Sequence, residues 1–133
     1  MNVLVISCNH HKAGVQLRER LAFSSQQQLS EAYTQWRARH PESEIVVLST
    51  CNRVEIYAAD ERQQDGVSFD DITRFISQFH NVPSDEFTGA VLAHSGADAV
   101  SHLFQVACSI DSSATRNRTF TASAATEKTP KSW

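Results

Sequence analysis

Apolar runs of strand length and apolar repeats of helical spacing alternate along this chain, and their order constrains the fold more than any other feature. The first run, residues 3–6, is continuous and β-branched, which suits a strand covered on both faces. Further strands are predicted at residues 45–48, 54–58 and 91–94. Two helices are predicted from apolar residues at i, i+3, i+4 and i+7, namely Leu29, Ala32, Tyr33 and Trp36, and then Ile72, Phe75, Ile76 and Phe79. A last helix is predicted over residues 97–109, with Ala99, Val100, Leu103, Val106 and Ala107 facing inward.

Polar residues mark where the predicted helices begin and end. Ser24 and Gln27 have the S-x-x-Q spacing of a capping box, so the first long helix should start there and end at His40-Pro41. A short amphipathic turn precedes it, over residues 15–23. The pair Asp70 and Asp71 lies near the N-terminal end of the second helix, where negative charge is favourable.

The order β-α-β-β-α-β, followed by one more helix, predicts an α+β chain with the ferredoxin-like split β-α-β arrangement. Residues 1–113 are expected to form one domain. Residues 114–133 hold only two large apolar side chains, Phe120 and Trp133, so too little surface can be buried there to offset chain entropy. We expect that tail to be disordered.

Composition narrows the class of protein. The chain has 133 residues, 41% of them hydrophobic and 20% charged, which suits one soluble domain with one core. Its formal net charge of −3 supplies no basic field over the whole surface. A bulk nucleic-acid binder is therefore not expected, and any contact with nucleic acid would be local.

Membrane insertion and a disulfide framework are both disfavoured. No stretch approaches the ~20 apolar residues that a membrane-spanning helix needs. The three cysteines, at positions 8, 51 and 108, are odd in number and widely spaced. A reducing cytoplasm is the expected location.

Cys51 is the residue with the most distinctive surroundings, because it lies with Asn52 and Arg53 between two predicted strands. A guanidinium close to a cysteine raises the thiolate fraction and hence its reactivity. Residues i and i+2 share a face only in extended chain, so spacing alone leaves open whether Cys51 is a reactive thiol or a small buried apolar residue.

Other candidates carry weaker signals. Cys8, His10, His11 and Cys51 could be drawn as a zinc site, but their spacing matches no common structural pattern, so no metal is predicted. Cys108 lies on the last predicted helix beside apolar residues and is interpreted as a packed core thiol. By its position alone, His102 on that helix is a solvent or core-edge histidine.

Four motifs in one order resemble the N-terminal catalytic domain of glutamyl-tRNA reductase. The S-T-C-N-R core is the most specific of them. The matching stretches are N-H-x-x-A at 9–13, L-R-E-R at 17–20 with F-S at 23–24, L-S-T-C-N-R-x-E-x-Y at 48–57, and A-V-x-H-L-F-x-V-A at 99–107 with D-S at 111–112.

The resemblance implies a tRNA-dependent reductase that opens tetrapyrrole (porphyrin) biosynthesis, converting glutamyl-tRNA to glutamate-1-semialdehyde with NADPH. In such an enzyme the residue matching Cys51 attacks the ester that joins glutamate to tRNA, and a thioester results. Covalent capture splits a difficult acyl reduction into a transfer and a reduction. The family also works as a homodimer.

The resemblance also implies roles for neighbouring residues. Arg53 would hold the glutamyl carboxylate with its planar fork, and Thr50 and Asn52 match polar substrate contacts. His102 matches an active-site histidine that assists proton transfer or orients the scissile ester.

Three departures from the family pattern limit what the resemblance implies. Gly14 stands where the family has proline, and Cys108-Ser109-Ile110 replaces Ser-Gly-Leu. After Ser112 the sequence leaves the family pattern, as a shifted reading frame or a truncated gene model would produce. No G-x-G-x-x-G turn occurs in these residues, so the NADPH-binding and dimerisation domains are expected to be absent and the chain alone should not complete the reduction.

Two other functions remain open at the level of sequence. The ferredoxin-like fold hosts many unrelated activities, so the chain could be a non-catalytic binding domain. It could also be an inactive truncated fragment whose last helix lacks the continuation that would cover its exposed face.

Overall fold

A computed structural model describes residues 1–62, 64–113 and 121–124, with side chains as far as residue 108. The strands and helices are β1 (Asn2–Asn9), α1 (Val15–Leu21), α2 (Gln26–Arg39), β2 (Ser43–Ser49), β3 (Arg53–Asp60), α3 (Phe69–His80), β4 (Leu92–Ser95), α4 (Gly96–Ser113) and β5 (Thr121–Ala124). Two short 3₁₀ turns, Ser84–Glu86 and Thr88–Ala90, lead from α3 to β4.

The strands form one sheet in the order β4-β1-β3-β2-β5, and every neighbouring pair is antiparallel. β3 lies between β1 and β2, which are joined through α1 and α2, and this is the split β-α-β arrangement. The predicted α+β, ferredoxin-like fold with an additional helix is confirmed.

β5 lies in the tail for which the sequence predicts disorder. Thr121–Ala124 pairs with β2 along the open edge of the sheet. Pairing at an edge uses backbone groups, which the scarcity of large apolar side chains does not prevent. Disorder of residues 114–133 stays a prediction: Thr121–Ala124 is described as a strand, and residues 114–120 and 125–133 lie outside the described residues.

The sheet is covered on both faces, as the continuous apolar run in β1 indicates. Strand residues alternate between the faces, so Leu4, Ile6 and Cys8 enter the main core beneath α1, α2 and α3. The opposite face is packed by α4 and holds a small apolar cluster of Val5, Tyr57 and Ala99. This second face carries the polar residues described below.

The two predicted amphipathic helices are α2 and α3. Leu29, Ala32, Tyr33 and Trp36 are all buried, as are Ile72, Phe75 and Ile76. The N-cap of α2 differs by one residue from the predicted Ser24, because residues 24–28 contain two overlapping S-x-x-Q patterns. Ser25 is the cap, and its Oγ accepts a hydrogen bond from Gln28 N at 3.1 Å.

α4 faces the sheet with a narrower stripe than the sequence predicts. Ala99 and Val106 are buried and His102 is half-buried, a spacing of i, i+3 and i+7. The sheet offers only a small apolar cluster at this point, so one stripe of the helix suffices to cover it. The predicted inward position of Val100, Leu103 and Ala107 is therefore wrong, as is the core position of Cys108, because all four are exposed.

Among the described residues, no helix has the length and apolar character needed to cross a membrane.

Candidate active site at the β2–β3 turn

Cys51 and Asn52 form the tip of the tight turn that joins β2 to β3. Thr50 N donates to Arg53 O at 2.8 Å, which closes the turn. The Thr50 hydroxyl oxygen accepts from Asn52 N at 3.1 Å and from Arg53 N at 3.2 Å. Thr50 therefore fixes the local backbone by the side-chain-to-backbone bonding typical of threonine in turns.

The loop after β1 holds this turn from a second direction. His10 N donates to Asn52 O at 3.0 Å, and Arg18 Nη1 on α1 donates to the carbonyl oxygen of Cys51. Asn9 shapes the loop itself, since its Oδ1 accepts from His11 N at 3.0 Å and its backbone oxygen accepts from Ala13 N at 2.9 Å. Segments about 40 residues apart in sequence thus meet at the cysteine.

None of the three cysteines, all of which are described, is in a disulfide, and their surroundings differ. Cys8 is buried in the main core, and burial raises the pKa of its thiol. Cys51 is exposed on the turn, and Cys108 is exposed on α4. The alternative that Cys51 is a small buried apolar residue is wrong, because the residue is exposed.

A buried carboxylate, Glu55, joins the second face of the sheet to α4. Its side chain is fully buried. Arg53 lies two residues before it on β3, and Arg53 Nη1 is 3.3 Å from Glu55 Oε2. Ser7 Oγ donates to the same oxygen at 2.5 Å, and His102 Nε2 lies 2.7 Å from it. Tyr57 donates its hydroxyl to Oε1 at 2.7 Å. Both oxygens of the carboxylate are therefore engaged, as a buried charge requires.

Strand register accounts for this cluster. Ser7 is paired directly with Glu55 across β1 and β3, and Val5 is paired with Tyr57. Residues 53, 55 and 57 share one face because β-strand side chains alternate. Burial and the adjacent Glu55 raise the pKa of the Tyr57 hydroxyl, so tyrosine remains a neutral donor.

Sequence reasoning missed Glu55, Ser7 and Tyr57 as a cluster. A signal was present, because Ser7 and Asn9 alternate with apolar residues in β1 as Arg53 and Glu55 do in β3. Period-2 polarity on two strands predicts one shared polar face only once the strands are known to pair.

The residues that sequence reasoning selected fall into two groups. Thr50, Cys51, Asn52 and Arg53 lie together on or beside the turn. His102 lies on α4 and contacts Glu55, so the Glu55 cluster links it to Arg53. His102 is thus a core-edge histidine with a specific buried partner.

Neither a metal nor a dinucleotide has an evident site in the part of the chain that is described. No group of three or more His, Cys, Asp or Glu residues in it could hold a metal ion. The chain has four glycines, Gly14, Gly66, Gly89 and Gly96, and none is followed within six residues by another. A dinucleotide-binding turn needs three glycines within six residues, after a strand, so these residues do not fit NADPH.

Comparison with known proteins identifies one family. The protein-family model described as the glutamyl-tRNA(Glu) reductase N-terminal domain matches residues 6–116 of this chain. Curated relatives named glutamyl-tRNA reductase include those of Thermodesulfovibrio yellowstonii, 39% identical over 117 residues, and Syntrophotalea carbinolica, 42% identical over 114 residues. A third, from Pseudoalteromonas translucida, is 37% identical over 112 residues. The matches cover 84% of this chain but only 25–27% of each relative, so the chain spans about a quarter of their length.

Proposed function

We propose that Cys51 is the nucleophile of this chain, which belongs to the glutamyl-tRNA reductase family and corresponds to its N-terminal domain. The Cys51 thiolate attacks the carbonyl carbon of the ester between glutamate and the terminal ribose of tRNA. A carbon–sulfur bond forms and the carbon–oxygen bond to the ribose breaks. The ribose oxygen takes up a proton, and glutamate remains on the enzyme as a thioester.

One observation carries this proposal: the thiol is exposed on a turn that hydrogen bonds hold in place from two sides. A nucleophile that attacks a macromolecular ester needs access, which Cys51 has and Cys8 lacks. It also needs a fixed position, which the Thr50 hydroxyl, His10 N and Arg18 supply. Fixed geometry reduces the barrier of the transfer because the reacting groups need not be ordered at the moment of reaction.

Arg53, Thr50 and Asn52 are proposed to bind the glutamyl group. A guanidinium has five N–H donors, so the contact of Arg53 with Glu55 leaves others for the substrate carboxylate. The Thr50 hydroxyl accepts two backbone hydrogen bonds and can still donate one. Asn52 is exposed beside the thiol and can supply both a donor and an acceptor.

His102 is proposed to assist proton transfer or to orient the ester. His102 Nε2 lies 2.7 Å from Glu55 Oε2, and a carboxylate only accepts hydrogen bonds, so the tautomer proposed here has its proton on Nε2. Nδ1 is then the ring nitrogen that remains for exchange with substrate. The half-buried position of His102 restricts its rotamers and fixes the direction of that nitrogen.

The proposal for this chain ends at the thioester. NADPH supplies the hydride in the reaction attributed to the full-length family, but the residues of this chain do not fit that cofactor. Water is the acceptor that is left for the bound glutamyl group. We therefore expect slow, thiol-dependent hydrolysis of glutamyl-tRNA and no aldehyde from this chain alone.

The test is the rate at which the chain releases labelled glutamate from glutamyl-tRNA. We expect Cys51→Ser to abolish the release above the uncatalysed rate, whereas Cys108→Ser, the matched exposed control, leaves it unchanged. A tRNA charged with glutamine tests whether the carboxylate is recognised. Equal release by wild type and Cys51→Ser, with native unfolding curves for both, would overturn the proposal.

A binding domain without chemistry is the second candidate, and one observation favours it. Val100, Leu103 and Phe104 form an exposed apolar stripe on α4, and such stripes often mark contact surfaces. This alternative predicts that Cys51→Ser changes nothing, so the experiment above separates the two functions.

A further inference from the structure

Arg18 is a buried arginine whose hydrogen bonds go to backbone carbonyls. It lies on α1 and is only 9% exposed. Nε donates to Ala13 O at 3.3 Å, and Nη1 donates to the carbonyl oxygen of Cys51. One side chain thus joins the loop after β1 to the turn that carries the thiol, 33 residues further along the chain.

No carboxylate of the described residues forms an ion pair with Arg18. None of the ion pairs found among the described residues involves it, in contrast to Arg53, which pairs with Glu55, and Arg20, which pairs with Glu86. Burying a guanidinium without an opposite charge is costly. The positive charge of Arg18 affects its surroundings. The pKa of His10 is lowered mainly by desolvation, next by the charge of His11, and then by the charge of Arg18.

A neutral hydrogen-bond donor could close this loop with a smaller desolvation penalty than a charged guanidinium. An arginine instead offers a rigid fork whose donors keep a fixed spacing, so it can hold two carbonyls at once. The carbonyl that it holds in the turn belongs to Cys51 itself. Because peptide planes rotate as units, fixing that oxygen also restricts the direction in which the Cys51 side chain leaves the backbone.

We propose that Arg18 is a positioning residue for acyl transfer: by clamping the Cys51 carbonyl it holds the thiol in line with the incoming ester. The proposal rests on the function proposed for Cys51. It predicts that loss of Arg18 slows the transfer step more than it weakens substrate binding, because a displaced nucleophile affects the reaction and not the recognition of glutamate.

The first experiment compares Arg18→Met with Arg20→Met, which alters the next arginine of α1, itself exposed and paired with exposed Glu86. We expect Arg18→Met to lower the maximal rate at which tRNA loses its glutamate in a single turnover, with the protein in excess, by about 10- to 100-fold, since small misplacements of reacting groups have effects of that size. The half-saturating concentration of the protein should change less than about threefold for a positioning role. A maximal rate within twofold of wild type would overturn the proposal.

Chemical rescue separates positioning from a general loss of stability. Arg18→Ala leaves space for a guanidinium ion, and millimolar guanidinium should restore part of the rate in that variant but none in Cys51→Ser. Arg18→Lys keeps the charge but replaces the rigid fork by a single ammonium nitrogen on a flexible stem, so it should fold and retain an intermediate rate. Absence of rescue, together with a wild-type rate in Arg18→Lys, would contradict the need for a two-carbonyl clamp.

A second measurement decides the matter even if wild type releases no glutamate. Hydrogen exchange reports on two amides of this region. His10 N donates to Asn52 O and joins the loop to the turn, and Thr50 N donates to Arg53 O within the turn. We expect faster exchange of these amides in Arg18→Met, with the strands of the sheet unchanged, and no change in Arg20→Met. Unaltered protection in Arg18→Met would show that Arg18 does not hold the turn, whereas loss of activity in wild type alone would refute only the function proposed for Cys51.

Discussion

Glu55 illustrates how a single residue connects three elements. It belongs to β3, accepts from Ser7 on β1, and reaches His102 on α4, while Arg53 shares its face. A carboxylate suits this place because it has two oxygens that only accept, and each of its neighbours donates. The position of His102 relative to the sheet therefore depends on this side chain.

Replacement of Glu55 by glutamine tests that dependence. The amide has one acceptor oxygen, so its NH₂ group must face at least one donor that Glu55 now satisfies. We expect Glu55→Gln to lower the free energy of unfolding by about 1–3 kcal/mol in urea titrations. Glu31→Gln, on the exposed face of α2, is the matched control. A change in Glu55→Gln no larger than that of the control would show that the cluster contributes little.

From the sequence, the place of a residue in a strand, turn or helix was easier to predict than its burial and its contacts. The strand-to-strand location of Cys51 follows from its flanking apolar runs, but its exposure does not, because spacing fits a buried thiol equally well. Burial of Glu55 could not be predicted either, since its partners Ser7 and His102 lie 48 and 47 residues away. In the sequence, Arg18 is one of several polar residues on a short amphipathic segment. Only the folded structure shows that its side chain contacts the turn at Cys51.

Asp60 organises the end of β3 and the loop that leads to α3. Its buried carboxylate accepts from Arg62 Nη2 at 2.6 Å, from Arg62 N at 2.9 Å and from Val67 N at 3.2 Å. Hydrogen bonds from the Arg62 side chain are the main reason that the pKa of Asp60 falls from its ordinary value of 3.8 to about 2. The loop is thus held by one ionised group.

Replacement of Asp60 by asparagine should remove a pH-dependent part of the stability. A folded pKa below the unfolded one stabilises the fold above about pH 4, and this contribution is lost as the pH falls towards 2. We expect Asp60→Asn to lose about 1–3 kcal/mol at neutral pH and to show a shallower decline between pH 4 and 2. Denaturant unfolding across that range, with exposed Asp85→Asn as control, would contradict this account if the two variants had parallel profiles.

The orientation of α4 gives a further prediction about an element. Val106 is 3% exposed and lies on the same stripe of α4 as Ala99 and His102, whereas Phe104 is 66% exposed. We expect Val106→Ala to lower the thermal midpoint, at a cost of about 1–2 kcal/mol, and Phe104→Ala to change stability by less than about 0.5 kcal/mol. A larger loss from Phe104→Ala would mean that the apolar stripe of α4 is covered in solution.

The helices and strands themselves were well predicted, whereas the buried face was predicted correctly for α2 and α3 but not for α4. Helical spacing located α2 and α3 with their buried faces, because both pack on a large apolar surface that selects the whole stripe. The apolar residues of α4 cover a wider arc than the small cluster on the second face can bury, so periodicity alone could not choose the contacting residues. The N-cap of α2 was displaced by one residue because two overlapping patterns compete in one stretch.

The two faces of the sheet hold different groups of residues. The face beneath α1, α2 and α3 holds the main apolar core, and the face beneath α4 holds a small cluster and the polar contacts of Glu55. The β2–β3 turn lies at the end of both faces and carries Cys51. The order of elements predicted this topology because consecutive elements pack as neighbours, and few arrangements of β-α-β-β-α-β are compact. It could not predict β5, whose pairing depends on an edge that exists only after the sheet has formed.

Transfer of glutamate to one sulfur atom is the central claim, and the adduct itself is its most direct test. The chain would be mixed with glutamyl-tRNA, quenched in acid to preserve a thioester, digested, and analysed by mass spectrometry. We predict that the peptide holding Cys51 gains the mass of one glutamyl group, that hydroxylamine removes it, and that the peptides of Cys8 and Cys108 remain unmodified. An unmodified Cys51 peptide in a natively folded sample, or equal labelling of Cys108, would contradict the account.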